Sequence, residues 1–227
     1  MRGIHVGTRL SALALALGIA SMVGCLISSK SNPLADAEKM VGSHSGANTA
    51  ITAANADSAT VNIMDAVSSG LGRALQQSNV GDLFQMQKPA RPATSIDVDL
   101  SAAEIPGLRS GSVKIKSGHV TANTNEATGY GTWSINVAVE FNDFSDDGVI
   151  FLGGTFQESA NMSFADTGMT AVNANAKANI AVSGKYQGSM SMDITATVTN
   201  AGASVSGTVT VGGETVNVKD LPITGGW

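Results

Sequence analysis

The loop Asn142–Gly148, with the sequence NDFSDDG, holds the acidic side chains best spaced to bind a cation. Asp143, Ser145 and Asp147 alternate along it, which is the opening spacing of a calcium-binding loop, where oxygens of alternate residues converge on one ion. The twelfth position, however, is Gly154 instead of a bidentate glutamate. Asp and Gly also adopt turn dihedrals readily. The sequence therefore supports two interpretations, a calcium site or a polar turn between two strands.

Groups suited to acid–base or nucleophilic catalysis are sparse elsewhere. Beyond residue 24 there are two histidines, His44 and His119, too far apart in sequence to suggest a metal cluster. A Ser-His-Asp site using His119 has no supporting residues nearby. Met190 and Met192 share a face with apolar neighbours, so core packing explains them better than copper binding. We predict no catalytic residues, no cofactor apart from the calcium ion considered above, and a protein that is not an enzyme.

The first 25 residues have the features of an export signal. Arg2 and Arg9 precede an apolar run of 14 residues, Leu10–Val23, and no acidic residue occurs before Asp36. This run is shorter than the roughly 18–20 residues that a membrane-spanning helix needs, so a cleaved signal peptide is favoured over a membrane span. One interpretation of the segment is an ordinary secretory signal in which the cysteine at its end is incidental.

The other interpretation is a lipoprotein signal, because MVGC at residues 22–25 resembles the lipobox of bacterial lipoprotein precursors. The resemblance implies that the Cys25 thiol receives a diacylglycerol and that a peptidase cuts between Gly24 and Cys25. Residues 1–24 are then the signal peptide. Met22 departs from the leucine that is usual at its position.

Two residues bear on the nature and place of the anchor. Cys25 is the only cysteine, so no disulfide can form within the chain, and lipid attachment accounts for its presence. Leu26, the next residue, is not Asp, and in enterobacterial lipoproteins this favours transfer to the outer membrane. The resemblance therefore implies a lipid-anchored protein of the bacterial cell envelope, at the outer membrane.

Composition limits the partners. After removal of residues 1–24, 203 residues remain with 11 basic and 18 acidic side chains, a net charge of −7. An acidic chain without a basic patch is not expected to bind nucleic acid. The predicted partners are the membrane, through the lipid, and either an apolar ligand or another envelope protein.

The segment before the β region divides into a tether and a helix with its linker. Residues 25–48 are small and polar and predict a flexible tether, and residues 49–94 predict a helix followed by a linker. Apolar residues at helical spacing place the helix at 57–77, capped by Asp57 or Ser58 and weakened by two glycines. The apolar positions are Val61, Met64, Val67, Leu71 and Leu75.

From residue 95 to 227 the apolar period changes to two, as in Trp133, Ile135 and Val137, which predicts antiparallel strands with one solvated face. With short turns between strands, this predicts a mainly β fold of about eight to ten strands, arranged as a meander in a curved sheet or barrel. Residues 166–178 are interpreted as a long loop. The predicted strands are 95–101, 111–117, 119–124, 131–142, 149–157, 160–165, 178–186, 189–199, 203–211 and 214–219.

Two glycine-containing turns predict the register of the last three strands. A turn at Ala201-Gly202 would set Val198 opposite Val205 and Ile194 opposite Val209. A turn at Gly212-Gly213 would set Val209 opposite Val216 and Gly207 opposite Val218. Both registers put the apolar residues on one face.

These observations order three functions. The first is a lipid-anchored, non-enzymatic β domain that binds or scaffolds an unidentified molecule. The second is a carrier that holds an apolar ligand or lipid in a cavity between a curved sheet and the helix. The third is a hydrolase-type enzyme.

Overall fold

A single helix packs against one face of a long-stranded, mostly antiparallel sheet in the described part of the chain. The computed structural model describes residues 44, 48–52, 54–77, 94–100, 103–125, 130–165, 168–199 and 202–219. The helix is α1 (Ala56–Gln77), and the strands are β1 (Thr49–Ala50), β2 (Thr94–Asp99), β3 (Glu104–Pro106), β4 (Ser110–Asn125), β5 (Tyr130–Ser145), β6 (Ile150–Ala165), β7 (Gly168–Gly184), β8 (Tyr186–Thr199), β9 (Gly202–Val211) and β10 (Glu214–Lys219).

The sheet is open and is ordered β10-β9-β8-β7-β6-β5-β4-β2. Strand β3 pairs with β4 beyond the end of β2, and β1 pairs with the start of β8 as a parallel strand. All other pairings are antiparallel. The predicted mainly β fold of eight to ten strands with one N-terminal helix is confirmed, as a sheet and not as a closed barrel.

The strands are longer than the sequence predicted. The predicted strands 111–117 and 119–124 form one strand, β4, with a register shift between Ile115 and Ser117. The predicted strands 149–157 and 160–165 are both part of β6. The long loop predicted at 166–178 is wrong because β7 begins at Gly168. Its inward positions are mostly alanines, which an apolar count based on larger residues overlooks.

One of the two predicted registers is confirmed. Val209 lies opposite Val216 and Gly207 opposite Val218. The β8–β9 register is wrong by two residues, because Val205 lies opposite Ala196 and not opposite Val198. Pairing closes at Thr199 and Gly202, so Gly202 belongs to β9, where its φ of 142° suits glycine. A shift of two keeps every side chain on its face, so the predicted core residues were still correct.

Helix α1 follows the predicted segment, with differences at one apolar position and at its start. Val61 is 46% exposed, and Ile63 is buried instead. The cap is Asn55, whose backbone oxygen accepts from the Ala59 N–H and whose side-chain oxygen accepts from the Thr52 N–H at 2.8 Å. Ser58 lies inside the first turn, where its hydroxyl donates to the Asn55 carbonyl. No helix in the described residues is long and apolar enough to cross a membrane.

Gly70 sets how closely α1 approaches the sheet. A Cβ atom at Gly70 would lie 2.6 Å from the ring of Phe141 and 3.0 Å from that of Phe144. Both rings are fully buried, and their centroids are 5.6 Å apart. A glycine that is unfavourable for the helix by propensity therefore lets the helix backbone rest on two aromatic rings. We call the sheet face that meets α1 at Phe141 the inner face.

Candidate functional site

An acidic side chain interrupts the apolar inner face at the centre of the sheet. Along β6 the inward positions are apolar or glycine except at Glu158, which lies between Phe156 and Ala160. Its cross-strand neighbours are Val137 on β5 and Ala176 on β7. Val137 is on the same face as Phe141, which contacts α1, so the Glu158 side chain points toward the helix side of the sheet.

Glu158 is buried without a complete set of hydrogen bonds. It is 4% exposed, and its Oε2 atom has no hydrogen-bond partner. Burial in these apolar surroundings disfavours the carboxylate and raises the pKa of Glu158 to about 8. The group is therefore an uncharged acid at neutral pH, able to donate a hydrogen bond as well as accept one.

Small side chains surround this carboxyl. We use the name alanine patch for the buried alanines of the inner face that lie on β6, β7 and β8 around Glu158, and their registers place them in adjacent rows. Each is at most 8% exposed. The members of the patch are Ala160, Ala174, Ala176, Ala178 and Ala196.

Sequence reasoning missed Glu158, although a signal was present. The predicted strands stop at residue 157 and resume at 160 because a glutamate broke the apolar alternation. An acidic residue in the apolar phase of one long strand is the informative pattern. Buried acidic groups with perturbed pKa values concentrate at functional sites, so we take Glu158 and the alanine patch as the candidate site.

The predicted calcium residues lie at the β5–β6 hairpin, at the end of the sheet. Asp143 has a φ of 51°, and its carboxylate accepts from Ser110 Oγ at 3.1 Å and contacts His44 Nε2 at 2.7 Å. The His44 ring also stacks on Phe151, with ring centroids 3.5 Å apart. The side chain of Asp143 thus holds a residue from the N-terminal segment against the sheet.

Ser145 and Asp147, by contrast, hold the turn itself. Ser145 Oγ donates to Asp147 Oδ1 at 3.1 Å and accepts from the Gly148 N–H. Asp147 Oδ1 also accepts from the N–H groups of Val149 and Ile150. Partial burial raises the pKa of Asp147, but these backbone and hydroxyl donors lower it more, so its net pKa is lowered.

The turn arrangement matches the polar-turn interpretation, and the calcium site stays a prediction. Ser145 and Asp147 are together, whereas Asp143 is engaged with Ser110 and His44. Within the described ranges, no group of three or more His, Cys, Asp or Glu side chains is arranged to hold a metal ion.

Asp146, between these residues, joins three elements. Its carboxylate accepts from Arg73 at 2.7 Å and Ser69 at 2.8 Å on α1, and from the Leu108 N–H in the loop between β3 and β4. Arg73 also donates to the Pro106 carbonyl. The acidic hairpin therefore fastens the helix and the β3–β4 loop to the end of the sheet.

His119 lies on the opposite, solvated face. Its Nδ1 is 2.8 Å from Asp99 and its Nε2 is 3.4 Å from Asp97, both on edge strand β2. The hydrogen bond to Asp99 is the main cause of the raised pKa of this exposed imidazole. Gly24 and Cys25, the predicted cleavage and lipidation residues, lie outside the described residues.

The fold defines a class, an open antiparallel sheet of long strands backed by one helix. A scan against protein-family models, a search of curated proteins and a search of solved structures each find no match to this chain. The function is therefore inferred from the residues of the chain alone.

Proposed function

We propose that this protein is a lipid-anchored component of the bacterial cell envelope, held at the outer membrane, whose β domain is non-enzymatic and binds or scaffolds another molecule. The observation that carries the proposal is Gly24-Cys25 directly after a short apolar run that follows two arginines. The lone cysteine and the acidic remainder of the chain support it.

The use of the polar side chains supports a non-enzymatic role. The acidic groups of the β5–β6 hairpin bind backbone N–H groups, Arg73 and Ser69, and so hold elements together. His119 lies between two carboxylates on an exposed face. These contacts are structural in kind.

Changing Cys25 tests the anchor. In a bacterial host fed a fatty-acid analogue, the wild-type chain should incorporate the label and Cys25→Ser should lose it, because serine cannot form the thioether. Labelling is read after hydroxylamine treatment and electrophoresis of the full chain. Leu26→Asp is the matched control, expected to keep the label and to move the protein from the outer to the inner membrane. Label retained on Cys25→Ser would refute the anchor.

A second candidate function, a carrier of an apolar ligand, is favoured by Glu158. Its partly unpaired carboxyl and the alanine patch lie on the sheet face that packs with the helix. A carrier should retain an apolar molecule during gentle purification. Native mass spectrometry of the whole Cys25→Ser chain should then show a bound mass that organic extraction removes. A single ligand-free mass from freshly lysed cells would contradict the carrier function.

A further inference from the structure

The Glu158 carboxyl is in a costly environment, and one of its oxygens gains nothing in return from the fold. Burial removes the water that an exposed carboxyl would bind, and Oε2 receives no hydrogen bond in exchange. Buried polar groups in folded proteins are satisfied in the great majority of cases, so an exception needs an explanation. A bound molecule that pairs with the carboxyl would supply one.

The alanine patch gives such a molecule an apolar surface beside the carboxyl. Ala160 follows Glu158 on the inner face of β6, and Ala176 lies directly opposite it on β7. Alanine side chains end at Cβ, whereas the glutamate side chain continues for three more atoms. The carboxyl therefore projects beyond its immediate alanine neighbours, and an apolar chain lying on them would meet it.

The surrounding groups set the chemistry of the partner. The inward neighbours of Glu158 on the flanking strands are Val137 and Ala176, and those one strand further are Gly118 and Ile194, so they carry no charge.

The helix adds no charge at this point among its described side chains. Asp65 is exposed, and Arg73 pairs with Asp146. Because burial keeps Glu158 protonated at neutral pH, the carboxyl offers a proton to an acceptor. An anionic head group would find no cation there.

We propose that Glu158 and the alanine patch form an internal binding site for an apolar molecule that carries one neutral hydrogen-bond-accepting group, such as an ester carbonyl. The carboxyl donates to the acceptor, and the apolar body lies on the alanines. This site rests on the carrier function proposed above and names the class of its ligand.

Methyl decanoate is the probe, because its ester accepts hydrogen bonds but cannot donate them. Its binding to the whole Cys25→Ser chain is measured by calorimetry at pH 6.5 and 9.5, with circular dichroism confirming the fold at each pH. The expected affinity falls about tenfold from pH 6.5 to 9.5, as ionisation removes the donated proton. Decane, which lacks the ester, should bind about tenfold more weakly than methyl decanoate at pH 6.5.

Three variants, each made in the same chain, separate the head-group contact from packing. Glu158→Gln keeps a donor at both pH values, so it should bind the ester with little pH dependence. Glu158→Met keeps the volume but no donor, and should bind ester and decane alike. Gln157→Met, on the solvated face of the same strand, is the matched control and should behave like the starting chain.

The outcomes separate the site from the function on which it rests. Equal ester binding by Glu158→Met and the starting chain would overturn the site while leaving a carrier in place, as would tighter binding of decylamine than of methyl decanoate. Absence of binding by either methyl decanoate or decane to any variant would overturn the carrier function and the site together.

Discussion

The stability of this protein is expected to fall between pH 4.5 and pH 8 because of one residue, Glu158. The folded pKa of about 8 lies above the ordinary value of 4.5, so over this window the unfolded chain has lost a proton that the folded chain retains. The contribution of Glu158 to the free energy of unfolding is therefore complete below pH 4.5. It then declines by about 1.4 kcal/mol per pH unit until both states are ionised. The total, about 5 kcal/mol, is comparable with the whole stability of a small domain.

Glu158→Gln removes this titration and isolates its effect. Urea unfolding of the whole chain at pH 4, 6, 7 and 8.5 gives the free energy of unfolding for each protein. The difference between the variant and the wild type should shift by about 5 kcal/mol in favour of the variant from pH 4 to pH 8.5. Glu140→Gln, on the solvated face beside Lys116, should shift by less than about 1 kcal/mol. Parallel pH profiles for wild type and Glu158→Gln would contradict the burial of an uncharged acid.

Two glycine-to-alanine changes in α1, two residues apart, are expected to act in opposite directions. Gly72 has open space where a Cβ would be added, so Gly72→Ala should stabilise the protein by about 0.5–1 kcal/mol through helix propensity. At Gly70 the same methyl meets two buried phenyl rings, at 2.6 and 3.0 Å. Overpacking of this kind typically costs about 1–3 kcal/mol, which exceeds the propensity gain.

The pair is measured by urea and thermal unfolding of each variant. Because both carry the same chemical change in the same helix, propensity cancels in the comparison and the difference reports contact with the sheet. Gly70→Ala combined with Phe144→Leu should recover part of the loss, since a smaller side chain frees space under the added methyl. Equal stabilisation by both alanines would contradict the close approach of α1 to Phe141 and Phe144.

Alternation of large apolar residues made much of the sheet predictable. Trp133 to Phe141 alternates without interruption, and β5 was predicted to within a few residues of Tyr130–Ser145. The first half of β7 was missed because its inward residues are Ala174, Ala176 and Ala178, which occur as readily in loops. Strand pairing buries them, and this is a tertiary effect that a local pattern does not contain.

The candidate site was harder to predict than the fold for a related reason. The position of Glu158 on β6 follows from counting residues by two, but its neighbours Val137 and Ala176 are more than fifteen residues away in the chain. Their identity depends on two hairpin registers. The β8–β9 register shows how a turn glycine can mislead by two residues, so contacts across strands required the structure.

The short strand β1 has a mechanical consequence for a domain held by its N-terminal side. Thr49 N–H donates to the Lys185 carbonyl and Ile51 N–H to the Gln187 carbonyl, while the His44 ring stacks on Phe151. A pull on the chain before residue 44 would load these contacts before any force reached α1. They act as a strain relief, so that tension between membrane and domain is taken up at the rim of the sheet while the helix stays seated.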